Sequence, residues 1–111
     1  MLSDNFLKKL HALNDKLRAD RDTLSDSHTT NVLARTAKGS EEYGELMDEI
    51  LSHLKLQRQN KLDKYEHENL EKEYGDVMLT LLLLGLSLDL DIEKVVTARL
   101  AEKYTEHITK I

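Results

Sequence analysis

Five carboxylates in two short segments carry the first chemical signal of this sequence. Glu42-Tyr43-Gly44-Glu45-Leu46-Met47 returns almost unchanged as Glu73-Tyr74-Gly75-Asp76-Val77-Met78, and Glu41 stands beside the first copy. Each residue of a helix advances by about 100° around the axis. Glu41, Glu42 and Glu45 therefore share one arc, and Glu73 and Asp76 share another. If the two helices pack antiparallel, the arcs can face each other. Carboxylates brought that close repel and raise one another's pKa unless a cation holds them together. Hard divalent ions such as Mg²⁺, with Mn²⁺ as the alternative, take several carboxylate oxygens at once. A hydrolytic, magnesium-dependent enzyme is the first expectation. Both copies also place a glycine one residue before the last acid, where it costs a helix roughly 1 kcal/mol against alanine. Close helix approach and space for a ligand would each explain it.

The elements that must hold these acids are helical. Proline is absent and only four glycines occur among 111 residues, so few residues end helices or make tight strand turns. Leu2, Phe6, Leu10, Leu13 and Leu17 recur at steps of three and four and form the inner stripe of a first helix running to about Arg21. The Ser-, Thr- and Asp-rich stretch from Asp22 to Thr30 reads as a connection. A second helix is expected from about Asn31 to Leu56, with Leu33, Ala37, Tyr43, Leu46, Met47, Ile50, Leu51 and Leu54 as apolar positions. Gln57 to Asp63 is polar and without periodicity, and reads as a loop.

A third helix, about Tyr65 to Leu88, carries the second motif and then becomes apolar on almost every side from Val77 to Leu86. Such a helix must be covered all round. Four helices from so short a chain cover it poorly, which points to a homo-oligomer. Asp91 offers the N-cap of a last helix whose inner stripe would be Ile92, Val95, Val96, Leu100, Tyr104 and Ile108, with Glu93 near its positive end. The expected fold is all-α, a four-helix bundle in a single domain over residues 1–111.

Composition narrows the function classes. A net charge of -5 argues against binding a nucleic acid polymer, which needs a basic face. Without cysteine there is no thiolate metal site and no thiol nucleophile. The N-terminus lacks the pattern of a signal peptide, and the apolar run from Val77 to Leu90, broken by Thr80, Ser87 and Asp89, is too short to span a bilayer. A cytoplasmic protein without membrane contact is expected.

Together these residues resemble the all-alpha nucleoside triphosphate pyrophosphohydrolases, the group of the MazG proteins, dimeric dUTPases and dCTP pyrophosphatases. Their mark is Glu-Glu-x-x-Glu on one helix and Glu-x-x-Asp on the next, matched by Glu41, Glu42, Glu45, Glu73 and Asp76. Lys38 stands three residues before the acid pair, where many members have lysine, and the similarity extends over about Leu33 to Lys103.

The resemblance implies a MazG-like bundle that hydrolyses a nucleoside triphosphate to the monophosphate and pyrophosphate. It implies that Glu42, Glu45, Glu73 and Asp76 hold Mg²⁺, that Glu41 completes a second metal position or accepts a proton from water, and that Lys38 and Lys103 contact phosphate. It further implies a homodimer or homotetramer. The final helix departs from the pattern: Lys103 is followed by Tyr104, Thr105, Glu106 and His107, where members often have asparagine or arginine. With no tryptophan and one phenylalanine, base stacking has few candidates. Tyr43 and Tyr74 are expected to pack in the core, and Phe6 could reach a base from the first helix.

Two other readings fit parts of the sequence. A di-iron bundle needs inward Glu-x-x-His pairs. None of His11, His28, His53, His67 and His107 completes one with the motif acids, although His53 lies four residues after Glu49. A non-catalytic oligomerisation module with an acidic partner-binding face fits the charge, but has no evident use for the paired glycine motif.

Overall fold

The leucine periodicity and the lack of proline translate into helices throughout. The structure, a computed structural model, describes residues 1–22 and 28–109. The helices run α1 Asp4–Asp22, α2 His28–His53, α3 Gln59–Leu62, α4 His67–Ser87 and α5 Ile92–His107. No strand occurs among the described residues. The four long helices read from the sequence are present, and a single turn, α3, sits within the stretch expected to be irregular.

Most differences at the helix ends have local causes. The second helix begins three residues before Asn31, and positions 23–27 of the expected connection lie outside the described residues. It stops at His53 rather than Leu56 because Lys55 takes a left-handed backbone, φ 62°, and the Leu56 amide turns back to the Leu51 carbonyl at 2.8 Å. The same device ends α4. Asp89 has φ 56°, and the Leu90 amide reaches the Gly85 carbonyl at 3.0 Å. Asp91 then caps α5 as expected, its Oδ1 accepting from the Lys94 amide at 3.2 Å. The short connector is tied to α2 through Asp48, which accepts from Gln57 and pairs with Lys61 at 3.4 Å.

Helices α2 and α4 form the main pair, and their register is antiparallel. Arg35 meets the Leu83 carbonyl, Gly39 faces Thr80, and His53 meets Tyr65, so one number falls as the other rises. Leu46 and Val77 are buried. Leu10 of α1 joins Leu83 and Ile92 in a small core, with Leu2, Leu7, Leu17, Leu82 and Leu86 packed against it. The chain's first residues are drawn to the start of α5, where Glu93 Oε1 accepts from the Leu2 amide and pairs with the N-terminal amine at 3.7 Å.

A polar node links the three helices through one buried side chain. Arg35 is 2% exposed. Its Nη1 donates to Asn14 Oδ1 at 2.5 Å, to the Leu83 carbonyl at 2.7 Å and to Ser87 Oγ at 2.5 Å, while Nη2 donates to the Asn14 carbonyl at 3.4 Å. Asn14 and Ser87 are buried with it. A buried guanidinium is costly unless acceptors meet its donors, and its planar fork suits several acceptors at once.

Several residues expected inside lie outside. On α1, Phe6 and Leu13 are exposed by more than a third. On α2 and α4, Leu33, Tyr43, Met47, Ile50, Tyr74, Met78 and Leu81 are exposed, as is Leu54 just past the end of α2, which corrects the expectation that both motif tyrosines pack in the core. The stripe of α5 is corrected likewise. Ile92 is buried, but Val95, Val96, Leu100, Tyr104 and Ile108 are not, because within one chain α5 packs only at its start, where it leaves α4. The radius of gyration, 17.4 Å, exceeds the roughly 13 Å of a compact domain of this length. The apolar stripes are where the sequence put them; one chain does not cover them.

Candidate metal and nucleotide site

The antiparallel register brings the two acid arcs together. Glu42, Glu73 and Asp76 each offer a carboxylate oxygen, and these atoms lie within 4.8 Å of one another. Glu42 is 7% exposed and Glu73 and Asp76 are half-buried. Glu45 lies exposed at the outer edge, outside this group of three. Its pKa is raised above the usual carboxylate value, first by the charge of Glu42, then by desolvation and by Glu73. The strain of like charges expected from the sequence is therefore present in the folded chain.

Two lysines supply part of the balance. Lys38 Nζ lies 3.0 Å from Glu42 Oε1 and 4.0 Å from Glu41 Oε2, and its own pKa is raised, first by the hydrogen bond to Glu42 and then by the charge of Glu41. Lys72 Nζ lies 3.9 Å from Glu73 and 3.8 Å from Asp76. Neither lysine satisfies every oxygen. Among the described residues, Glu42 Oε2 and Glu73 Oε2 are buried without a hydrogen-bond partner. A buried carboxylate oxygen left bare costs about 1 to 3 kcal/mol or more. Hard oxygen donors, converging and unsatisfied, suit a divalent cation of the magnesium type, so the donor set fits the ion that the sequence suggested.

Not every residue singled out in the sequence joins this group. Glu41 is exposed and turned to Lys38. Lys103 sits on the uncovered part of α5 and pairs with Glu106 at 3.3 Å. His53 does not serve Glu49 as a metal-ligand partner would; its Nδ1 lies 2.8 Å from the Tyr65 hydroxyl, and the acid group contains no histidine. That removes the arrangement a di-iron bundle requires. Beyond their own helix, no described residue comes within 4 Å of where a Cβ on Gly44 or Gly75 would stand, so no other described helix presses against them.

Sequence reasoning missed the cavity beside the acids. It measures about 310 Å³ and is lined by Leu13 and Leu17 of α1, Arg35, Lys38 and Glu42 of α2, and Asp76, Leu79, Thr80 and Leu83 of α4. Arg35 was the available signal. It precedes Glu42 by seven residues and so lies on nearly the same face of α2. Glu49, weighed in the sequence only beside His53, has one oxygen buried without a hydrogen-bond partner among the described residues.

The profile of the MazG nucleotide pyrophosphohydrolase domain matches residues 30–109. The chain belongs to this family. No curated protein and no solved structure matches it. The MazG segment takes in α2 from Thr30 onward, α3 to α5 and all five motif acids, while α1 lies before it. Membership makes the chain a member of a family of nucleotide pyrophosphohydrolases, hydrolases acting on phosphoric anhydrides, with the all-helical fold seen here. No helix among the described residues is long and apolar enough to cross a membrane.

Proposed function

We propose that this MazG domain hydrolyses a ribo- or deoxyribonucleoside triphosphate to the monophosphate and pyrophosphate, with Mg²⁺, or Mn²⁺ in its place, held by Glu42, Glu45, Glu73 and Asp76. The observation that carries the proposal is the convergence of three carboxylates within 4.8 Å, two of whose oxygens are buried without a hydrogen-bond partner among the described residues. Bound there, the ion supplies charge stabilisation for phosphate oxygens, the main requirement of phosphoryl transfer. The protein needs no covalent nucleophile for this reaction, and the sequence offers no cysteine for one.

The remaining roles follow from placement. Glu41 is exposed at the rim beside Lys38 and accepts a proton from the attacking water. Lys38, anchored on Glu42, presents its ammonium to phosphate at the mouth of the cavity. Lys103 serves phosphate only in an assembly that brings an α5 to the acids. The uncovered stripes of α2, α4 and α5 support such an assembly, a homodimer or homotetramer.

Pyrophosphate release from a panel of nucleoside triphosphates with Mg²⁺ tests the reading. The wild type is expected to release it, and Asp76→Ala to lower kcat/KM by at least about a hundredfold, the usual scale for losing a charge-stabilising group. No release by the wild type, or full release by Asp76→Ala, overturns the proposal.

A further inference from the structure

Each of the two main helices brings one lysine to the acid group, and at matching places. Lys38 precedes Glu42 by four residues and Lys72 precedes Asp76 by four, so each ammonium reaches one turn along its own helix to an acid. Because α2 and α4 run antiparallel, the two lysines come to the group from opposite ends. Lys38 lines the cavity beside the acids, with Arg35, Glu42 and Asp76; Lys72 stands outside that cavity.

The two contacts differ in kind. Lys38 Nζ is hydrogen-bonded to Glu42 Oε1 at 3.0 Å. Lys72 Nζ lies 3.9 Å from Glu73 Oε1 and 3.8 Å from Asp76 Oδ2, beyond hydrogen-bond length from either, and its side chain is 69% exposed. An exposed ammonium near two carboxylates and fastened to neither is held weakly and is readily displaced. Its side of Glu73 also matters. The oxygen facing Lys72 is Oε1, whereas Oε2 is the buried oxygen without a hydrogen-bond partner among the described residues. An ion can therefore enter at Oε2 while the lysine stands at the other oxygen.

Charge decides what such an ion does to Lys72. The four acids proposed as ligands, set against the two lysines, leave the empty site two charges negative, and one Mg²⁺ cancels that. The ion and the ammonium then repel at close range, and the ammonium regains a partner when an anion arrives on the ion. We infer that Lys72 is a substrate-binding residue of this chain: a counter-ion to Glu73 and Asp76 in the empty site, which passes to a phosphate oxygen once the ion is bound. It takes the phosphate chain at the end of the acid group opposite Lys38, so a triphosphate is held at two points. The inference rests on the proposed hydrolase reading and adds to it a residue that the acid motif does not contain. One lysine thereby acts in two senses, weakening the hold on free Mg²⁺ and strengthening the hold on phosphate bound with Mg²⁺. A plain surface ion pair does neither.

Titration calorimetry on the full-length chain separates these effects. The first titrant is Mg²⁺ alone; the second is inorganic tripolyphosphate at saturating Mg²⁺, a probe with phosphates and no nucleoside. Lys72→Met is expected to bind Mg²⁺ at least threefold more tightly than the wild type and tripolyphosphate at least fivefold more weakly. Lys72→Arg, which keeps the charge, is expected to stay within twofold of the wild type in both titrations. Lys64→Met removes the same charge from an exposed position in the turn between α3 and α4 and is expected to change neither.

Unchanged or weaker Mg²⁺ binding in Lys72→Met overturns the inference, as does unchanged tripolyphosphate binding, or the same pair of shifts in Lys64→Met. Pyrophosphate release by the wild type, measured in parallel, keeps the hydrolase reading standing in each of those cases. A wild type that binds neither Mg²⁺ nor tripolyphosphate and releases no pyrophosphate overturns both.

Discussion

The facing parts of α2 and α4 and the outer length of α5 are both rich in leucine, valine and acid, yet they end in opposite circumstances. Between α2 and α4 the chain buries a glutamate, an arginine and two bare carboxylate oxygens. Along α5 it leaves Val96, Leu100 and Tyr104 in water. A chain folding for its own stability alone would do the reverse, since apolar burial stabilises at about 25 cal/mol per Å² and buried like charges oppose folding. The first region is where the ion and nucleotide are proposed to bind. The second has its apolar stripe still to cover. The chain is most polar inside where chemistry is proposed and most apolar outside where assembly is proposed.

That contrast can be broken most sharply at its charged end. Glu42→Gln removes one of the crowded charges, so activity is expected to fall by at least about a hundredfold while the ion-free protein melts no lower than wild type. Its melting temperature should also lose the rise that saturating Mg²⁺ gives the wild type, a gain of about 2.7 kcal/mol at a hundredfold excess over Kd. A large loss of stability without ion would mean that the carboxylate serves the fold. Arg35→Met should behave the other way. It removes the buried donor that Asn14 Oδ1, Ser87 Oγ and the Leu83 carbonyl share, and chemical denaturation is expected to show a loss of about 2 to 5 kcal/mol.

Glycines sharpen the comparison at a smaller scale. A Cβ on Gly85 would stand 2.6 Å from Ile92 Cγ2, at the one place where α5 is packed. Gly85→Ala should therefore lose about 1 to 2 kcal/mol in denaturant titration, overpacking outweighing the gain in helix propensity. Gly44 has open space, and Gly44→Ala should gain roughly 0.5 to 1 kcal/mol in the same assay. A loss there would place a second copy or a ligand against that face. The smallest effect on the single chain belongs to Leu100→Asp, expected to shift stability by no more than about 0.5 kcal/mol because the side chain touches little. The same variant should lower the mass seen by sedimentation equilibrium if the α5 stripe joins copies.

How much of this was legible in the residues depends on which forces fixed each part. The acid group was legible because helical spacing alone puts Glu42 with Glu45 and Glu73 with Asp76, and an antiparallel pair closes the rest. The Asp91 cap was legible because it depends on one side chain and one amide. The end of α2 was not, since it turns on a left-handed backbone at Lys55, a residue with no special liking for it. Tyr43, Tyr74 and the α5 stripe were misplaced for a different reason. Periodicity tells which residues share a face and not what covers that face. The cavity escaped because one of the residues lining it is a buried arginine, a type that sequence reasoning assigns to the surface unless a partner is visible.

Arg35 also has a mechanical consequence. A helix is a screw, and clamping it at one point fixes its rotation along its whole length. Fastened at once to α1 and α4, the guanidinium sets the phase of α2, and two turns further on that phase aims Glu42 at Asp76. One residue inserted between them would touch neither clamp nor acid. It would still swing Glu42 and Glu45 by about 100°, out of line with Glu73 and Asp76.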